Sequence, residues 1–154
     1  MAGKALKAKE TPKDLGAAVG TVGYKRCYAK AKIDRWIETV KSLAKIAEVE
    51  PHAAFTAYTR SLQCQWTFLA RVMPDISDLF EPLEHIIRTV FIKTLIKRDA
   101  NDVEWDMLGL PARLGGLGIT NPVISTPLSH TNSLIISSLL VKLIRDQEAH
   151  MSAR

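Results

Sequence analysis

A chain of 154 residues, 47% hydrophobic and 24% charged, is one-domain long, can bury a core, and has the ordinary balance of a soluble globular protein. Its net charge of +5 is unevenly placed: nine Lys/Arg face three Asp/Glu through Arg35, leaving twelve against thirteen beyond it. The excess basic charge therefore sits on the first quarter, as expected either for a polyanion partner (nucleic acid or an anionic membrane surface) or for a solvated Lys-rich arm.

Met1-Ala-Gly-Lys-Ala-Leu-Lys-Ala-Lys9 lacks the apolar segment of a secretory signal. The longest greasy run, Leu134 to Ile144, is interrupted by Ser137, Ser138 and Lys142. It falls short of the ~20 residues needed to span a bilayer. Cys27 and Cys64 lie far apart in predicted helices, so reduced and partly buried thiols are expected. These features point to an intracellular protein, cytoplasmic or nuclear, with no membrane partner.

Taken in order, residues 1–13 read as a flexible basic arm and residues 14–150 as a single helical domain. Asp14 to Gly23 mixes β-compatible residues with glycines, which predicts one short β element near residues 14–20. A helix is predicted over Tyr24–Glu48. Its apolar stripe is Ile33, Trp36, Ile37, Val40, Leu43, Ala44 and Ala47, and its first turns carry Tyr24, Lys25, Arg26, Tyr28, Lys30 and Lys32.

Pro51 ends that helix and opens the next. The second stripe is Phe55, Tyr58, Leu62, Trp66, Leu69 and Met73, closed by Pro74. Asp78-Leu-Phe-Glu81 reads as a capping box before a third stripe from Leu79 to Leu95. Asn101-Asp-Val-Glu104 reads as another, starting a short helix with Trp105. Thr126-Pro127 is a plausible start for a final helix reaching about His150, so apolar that it must lie in a core or cover a partner. The expected class is mainly α, a bundle-like domain of four to five helices.

Between the last two helices lies Leu108-Gly-Leu-Pro-Ala-Arg-Leu-Gly-Gly-Leu-Gly-Ile-Thr-Asn-Pro122, which holds half of the glycines. Gly115-Gly-Leu-Gly118 fits GxxG, but no Gly-Lys-Ser/Thr follows and no helix opens where a phosphate loop needs one. A structural turn involving Arg113, Gly115, Gly116 and Gly118 is the better reading. Asp99, Asp102 and Asp106 are better explained by capping and a solvated face than by metal binding. The sequence contains no Asp-Asp pair, no Asp/Glu-x-Lys and no Gly-x-Ser-x-Gly, and its histidines have no ligand spacing. No cofactor, metal or self-contained catalysis is expected. The one positive signal is the basic aromatic segment Tyr24–Lys32, whose cations can neutralise phosphates and whose tyrosines can stack on bases, or simply belong to the core stripe.

Three stretches together resemble the end of a retrotransposon reverse transcriptase of the non-LTR-like kind abundant in invertebrate genomes. They are Asp14-Leu-Gly-Ala-Ala-Val-Gly20, Gln65 through Glu84 (QWTFLARVMPDISDLFEPLE), and Leu110-Pro-Ala-Arg-Leu-Gly-Gly-Leu-Gly-Ile-Thr-Asn-Pro122. The resemblance covers most of Lys13 to Glu148. It implies a primer-grip region at Leu15 and Gly16, with Lys13 beside it, followed by a helical thumb. In that thumb Lys25, Arg26, Lys30 and Lys32 would approach an RNA/DNA template–primer duplex, weakly and in a salt-dependent way.

Asp14 departs from the family's usual His. The fingers, the palm with its Tyr-x-Asp-Asp signature and the downstream endonuclease-like segment are absent. The chain thus resembles a thumb and connection fragment that binds nucleic acid without catalysing, possessing no palm carboxylates of its own. A reading of a different class is a helical protein-interaction module, in which the final helix meets the missing palm or a second copy. A non-functional relic of a transposable element is a third.

Overall fold

The computed structural model describes residues 20–145 together with the pairs Lys13–Asp14 and Ala17–Ala18. Among these residues the protein is mainly α, a bundle-like arrangement of five helices. Lys13–Asp14 (β1) and Ala17–Ala18 (β2) pair antiparallel, Lys13 opposite Ala18, next to the start of the first helix.

Helix α1 spans Val22–Val49. Thr21 caps it: its backbone is extended and its hydroxyl accepts from Tyr24 N–H at 3.4 Å. Ile33, Trp36, Val40, Ala44 and Ala47 are buried, with Ile37 and Leu43 packed at the edges of that stripe. The helix stops at Glu50 because Pro51 disfavours helical backbone in the residue before it.

Helix α2, residues 51–72, has three parts: α-helical Pro51–Ala57, a π-wound turn Tyr58–Leu62, and α-helical Gln63–Val72. Helix α3, residues 81–96, repeats the pattern with Glu81–Ile86, a π-wound Ile87–Ile92 and Lys93–Ile96. The buried residues explain both anomalies. Ala54, Tyr58, Leu62 and Trp66 recur every fourth residue, as do Leu83, Ile87 and Phe91. A period of four exceeds the 3.6 residues of an α-turn, so a straight α-helix would rotate the stripe away from the core. One wider turn in each helix returns it. The two π-wound turns meet through Tyr58 and Phe91, stacked at 4.7 Å. Trp66 packs edge-on to Tyr58 at 5.5 Å and to Trp36 at 6.0 Å, joining α2 to α1.

A 3₁₀ turn, Ser77–Phe80, precedes α3. The capping box predicted at Asp78–Glu81 does not form there, and α3 starts without a side-chain cap. The Asp78 carboxylate instead accepts both guanidinium nitrogens of Arg26, which also donates to the Asp75 carbonyl at 2.8 Å. An arginine fork matches a carboxylate better than one backbone amide does. The pairing holds Asp78 below the usual carboxylate range.

Helix α4, Asp102–Gly109, does begin with a reciprocal box. Asn101 Oδ1 accepts from Glu104 N–H at 2.8 Å, and Glu104 accepts from Asn101 N–H at 3.1 Å. Arg98 adds two bonds to Glu104 at 2.6 and 2.7 Å. The Arg98 bonds, then the Asn101 amide, hold Glu104 at about 2 instead of 4.5. A lowered carboxylate favours the folded state above its unfolded pKa, and that contribution fades as pH falls toward 2. Thermal melts should therefore show Glu104→Gln less stable than the parent chain at pH 7, with the two curves converging near pH 2.

Residues 110–121 form a tight clasp. Leu117 and Ile119 N–H donate to the Leu108 carbonyl, both at 3.1 Å, and Gly118 N–H to Leu110 at 2.9 Å. Gly115 and Gly118 take positive φ, +84° and +67°, which glycine adopts without strain. Arg113, read as part of this turn and its one polar side chain, is exposed, and that side chain makes no bond among the described residues. Its place on the 3₁₀ turn Ala112–Leu114 leaves it in solvent. Gln63 of α2 supplies the contact instead, donating to the Gly118 carbonyl at 3.0 Å and accepting from Thr120 N–H at 3.3 Å.

Helix α5 spans Pro122–Arg145, so the predicted start at Thr126-Pro127 is wrong. Asn121 caps it, accepting from Val123 N–H at 2.9 Å, with Pro122 as the first helical residue. Thr126 is buried inside the helix and donates to the Pro122 carbonyl at 2.6 Å, which explains why a polar residue tolerates that position. His150 lies outside the described residues.

The inward face of α5 is small and polar, made of Pro122, Ser125, Thr126, Ser129 and Ser133 against the second half of α2 and the 3₁₀ turn. Val123 packs against the core, but most of the helix's large apolar residues are exposed. The possibility that they form the core is overturned: Leu134, Ile135, Ile136, Leu139, Val141 and Ile144 are all exposed. The two cysteines, expected to be partly buried, are likewise exposed, because each falls outside its helix's buried stripe. Among the described residues no helix is long and apolar enough to cross a membrane.

Candidate nucleic-acid interface

Helical geometry sorts the cations of α1. At about 100° per residue, Lys25, Tyr28, Lys32 and Arg35 fall on one flank beside the buried stripe. Lys32 Nζ sits 5.2 Å from the centre of the Tyr28 ring, a cation–π contact that holds the lysine stem along the helix. Tyr28 itself packs against the core, so it acts as a platform for Lys32 more than as a stacking surface for a base. From Lys25 to Arg35 the helix rises about 15 Å, roughly four phosphates along one strand.

Two predicted cations are not in this row. Arg26 is committed to Asp78 and Asp75, tying α1 to the 3₁₀ turn, and is therefore structural. Lys30 is exposed on the opposite flank, which it shares with Asp34 one turn later. Arg35 was missed by the sequence reading, although its positions three after Lys32 and seven after Tyr28 place it on their flank. It is exposed and without an ion pair among the described residues. Of the primer-grip candidates, Leu15 and Gly16 lie outside the described residues, and Lys13 is described only through its pairing in β1.

No family model, curated protein or solved structure matches the chain.

The remaining polar features have local explanations. Asp99 and Asp102 are paired with Lys93 at 2.9 Å and Arg88 at 2.5 Å, and they do not converge with Asp106 on one point. Among the described residues, no group of three or more His, Cys, Asp or Glu could hold a metal ion. A groove of about 470 Å³ runs between α2 and the clasp, lined by Phe55, Thr56, Thr59, Arg60, Gln63 and Leu117. Its threonine hydroxyls donate to carbonyls of their own helix, and Gln63 is used by the clasp. That leaves Arg60 as its charged group, without a nucleophile or base beside it.

Proposed function

We propose that the chain is a non-catalytic module akin to the thumb and connection of a reverse transcriptase, which engages the backbone of a template–primer duplex through α1. The row Lys25–Lys32–Arg35 carries this reading, supported by the resemblance of the three stretches described above. Side chains in such a row neutralise phosphates without reading bases, so binding is weak, independent of sequence and steeply dependent on salt.

Fluorescence anisotropy with a labelled RNA–DNA hybrid tests it. The chain should bind at low salt and release the hybrid as salt rises. Reversing all three charges (Lys25→Glu, Lys32→Glu, Arg35→Glu) should reduce the salt slope by about 2 to 3, while Lys30→Glu should change it little. Undetectable binding at low salt, or a triple variant that binds like the parent, would remove the reading.

The outward apolar surface of α5 favours a second one, a helical protein-interaction module. Contiguous apolar surface of this extent marks a docking face.

A further inference from the structure

We infer that α5 pairs antiparallel with the α5 of a second copy of this chain. The inference rests on reading α5 as a docking surface and adds the identity of its partner.

The seam is written in the helix. Ile124, Leu128, Ile135 and Leu139 are 62%, 61%, 55% and 59% exposed and lie on the face opposite the small polar residues that meet α2. With Thr131 between them, Ile124, Leu128 and Ile135 recur at alternating steps of four and three, and Leu139 follows Ile135 by four, the spacing that keeps a stripe against another helix. From Leu128 to Val141 the helix carries no Asp, Glu, Lys or Arg, so no charge is buried by pairing it with itself.

Charge sets the direction. At its C-terminal end the outer face carries Lys142, exposed. At its N-terminal end, a cavity of about 300 Å³ lined by Trp105, Ile119, Ile124 and Leu128 also includes Asp106. Neither Asp106 nor Lys142 forms an ion pair among the described residues. Leu128 and Lys142 are two heptads apart, with Ile135 midway. A two-fold axis at Ile135 therefore brings each copy's Lys142 to the other's Leu128, over that cavity and beside Asp106. The contact is made twice, as two-fold symmetry requires. A parallel pair would instead set the two Lys142 side by side.

Sedimentation equilibrium of the nuclease-treated chain tests the pairing. The parent chain should be a dimer at micromolar concentration. Leu139→Lys should raise its dissociation constant more than about a hundredfold, with unchanged circular dichroism because Leu139 makes no core contact. Asp106→Lys and Lys142→Asp should each weaken it about fivefold, and the double variant should restore the parent value. A double variant no tighter than the singles overturns the antiparallel arrangement. A monomeric parent chain overturns the pairing altogether. In that case a hydrophobic dye bound by the parent but not by Leu139→Lys would leave α5 a docking face for another protein. Failure of the dye to bind would remove the docking reading as well.

Discussion

Replacing Gly116 by alanine is expected to destabilise the fold by about 3 kcal/mol or more, a loss readable in urea denaturation. A Cβ at this position would lie 2.5 Å from the Leu110 carbonyl carbon and 2.7 Å from its Cα, and closer still to the carbonyl oxygen. These atoms are backbone and cannot rotate away. Leu110 is also fixed from both sides, its carbonyl accepting from Gly118 and its N–H bonded to Met107. Relief would require opening the clasp, which would release the Gln63 contacts and the start of α5 together. Gly115→Ala is the control. Nothing lies within 4 Å of its would-be Cβ, and the cost there is only the strain of positive φ, about 1 kcal/mol. Equal losses in the two variants would show that backbone approach at Gly116 does not limit the clasp.

The contrast between these glycines also marks what could be read from the sequence. That Gly115, Gly116 and Gly118 make a structural turn follows from local chemistry. Which of them is crowded depends on where Leu110 returns in space, and no pattern of neighbours encodes that. The helices were legible where Pro51, Pro74 and the Asn101–Glu104 box punctuate them. Asn121-Pro122 and Thr126-Pro127 carry the same cap-then-proline signal, and choosing between them needs the Thr126 hydroxyl's bond to the preceding turn. Arg26 read as a free cation because its partners, Asp75 and Asp78, come from a distant turn. Arg35 could have been found, since it continues the flank of Lys25 and Lys32. The exposure of α5 was half visible: its greasiness demanded a cover, but only its serine-lined inner face showed that the cover is not this domain's own core.

The aromatic cluster gives the other large effect. Trp66→Ala should destabilise the chain by about 3 to 5 kcal/mol, a large fraction of the stability of a typical domain. Trp66 is 1% exposed and touches Trp36 of α1 and Tyr58 of the π-wound turn, so its removal leaves a cavity where two helices meet. Tyr58→Phe should behave oppositely. The Tyr58 hydroxyl is buried with no hydrogen-bond partner among the described residues, and burial pushes its pKa upward. Deleting it keeps the ring stacked on Phe91 and removes an unsatisfied polar group, so stability should hold or rise by about 1 kcal/mol. Were Tyr58→Phe instead to cost as much as a lost core contact, the hydroxyl would have a partner, and the π-wound turn would serve to place that bond as well as to realign the stripe. If the π turns exist only to realign, a variant that retains both rings should retain both turns, and hydrogen exchange at Tyr58–Leu62 should match the parent chain.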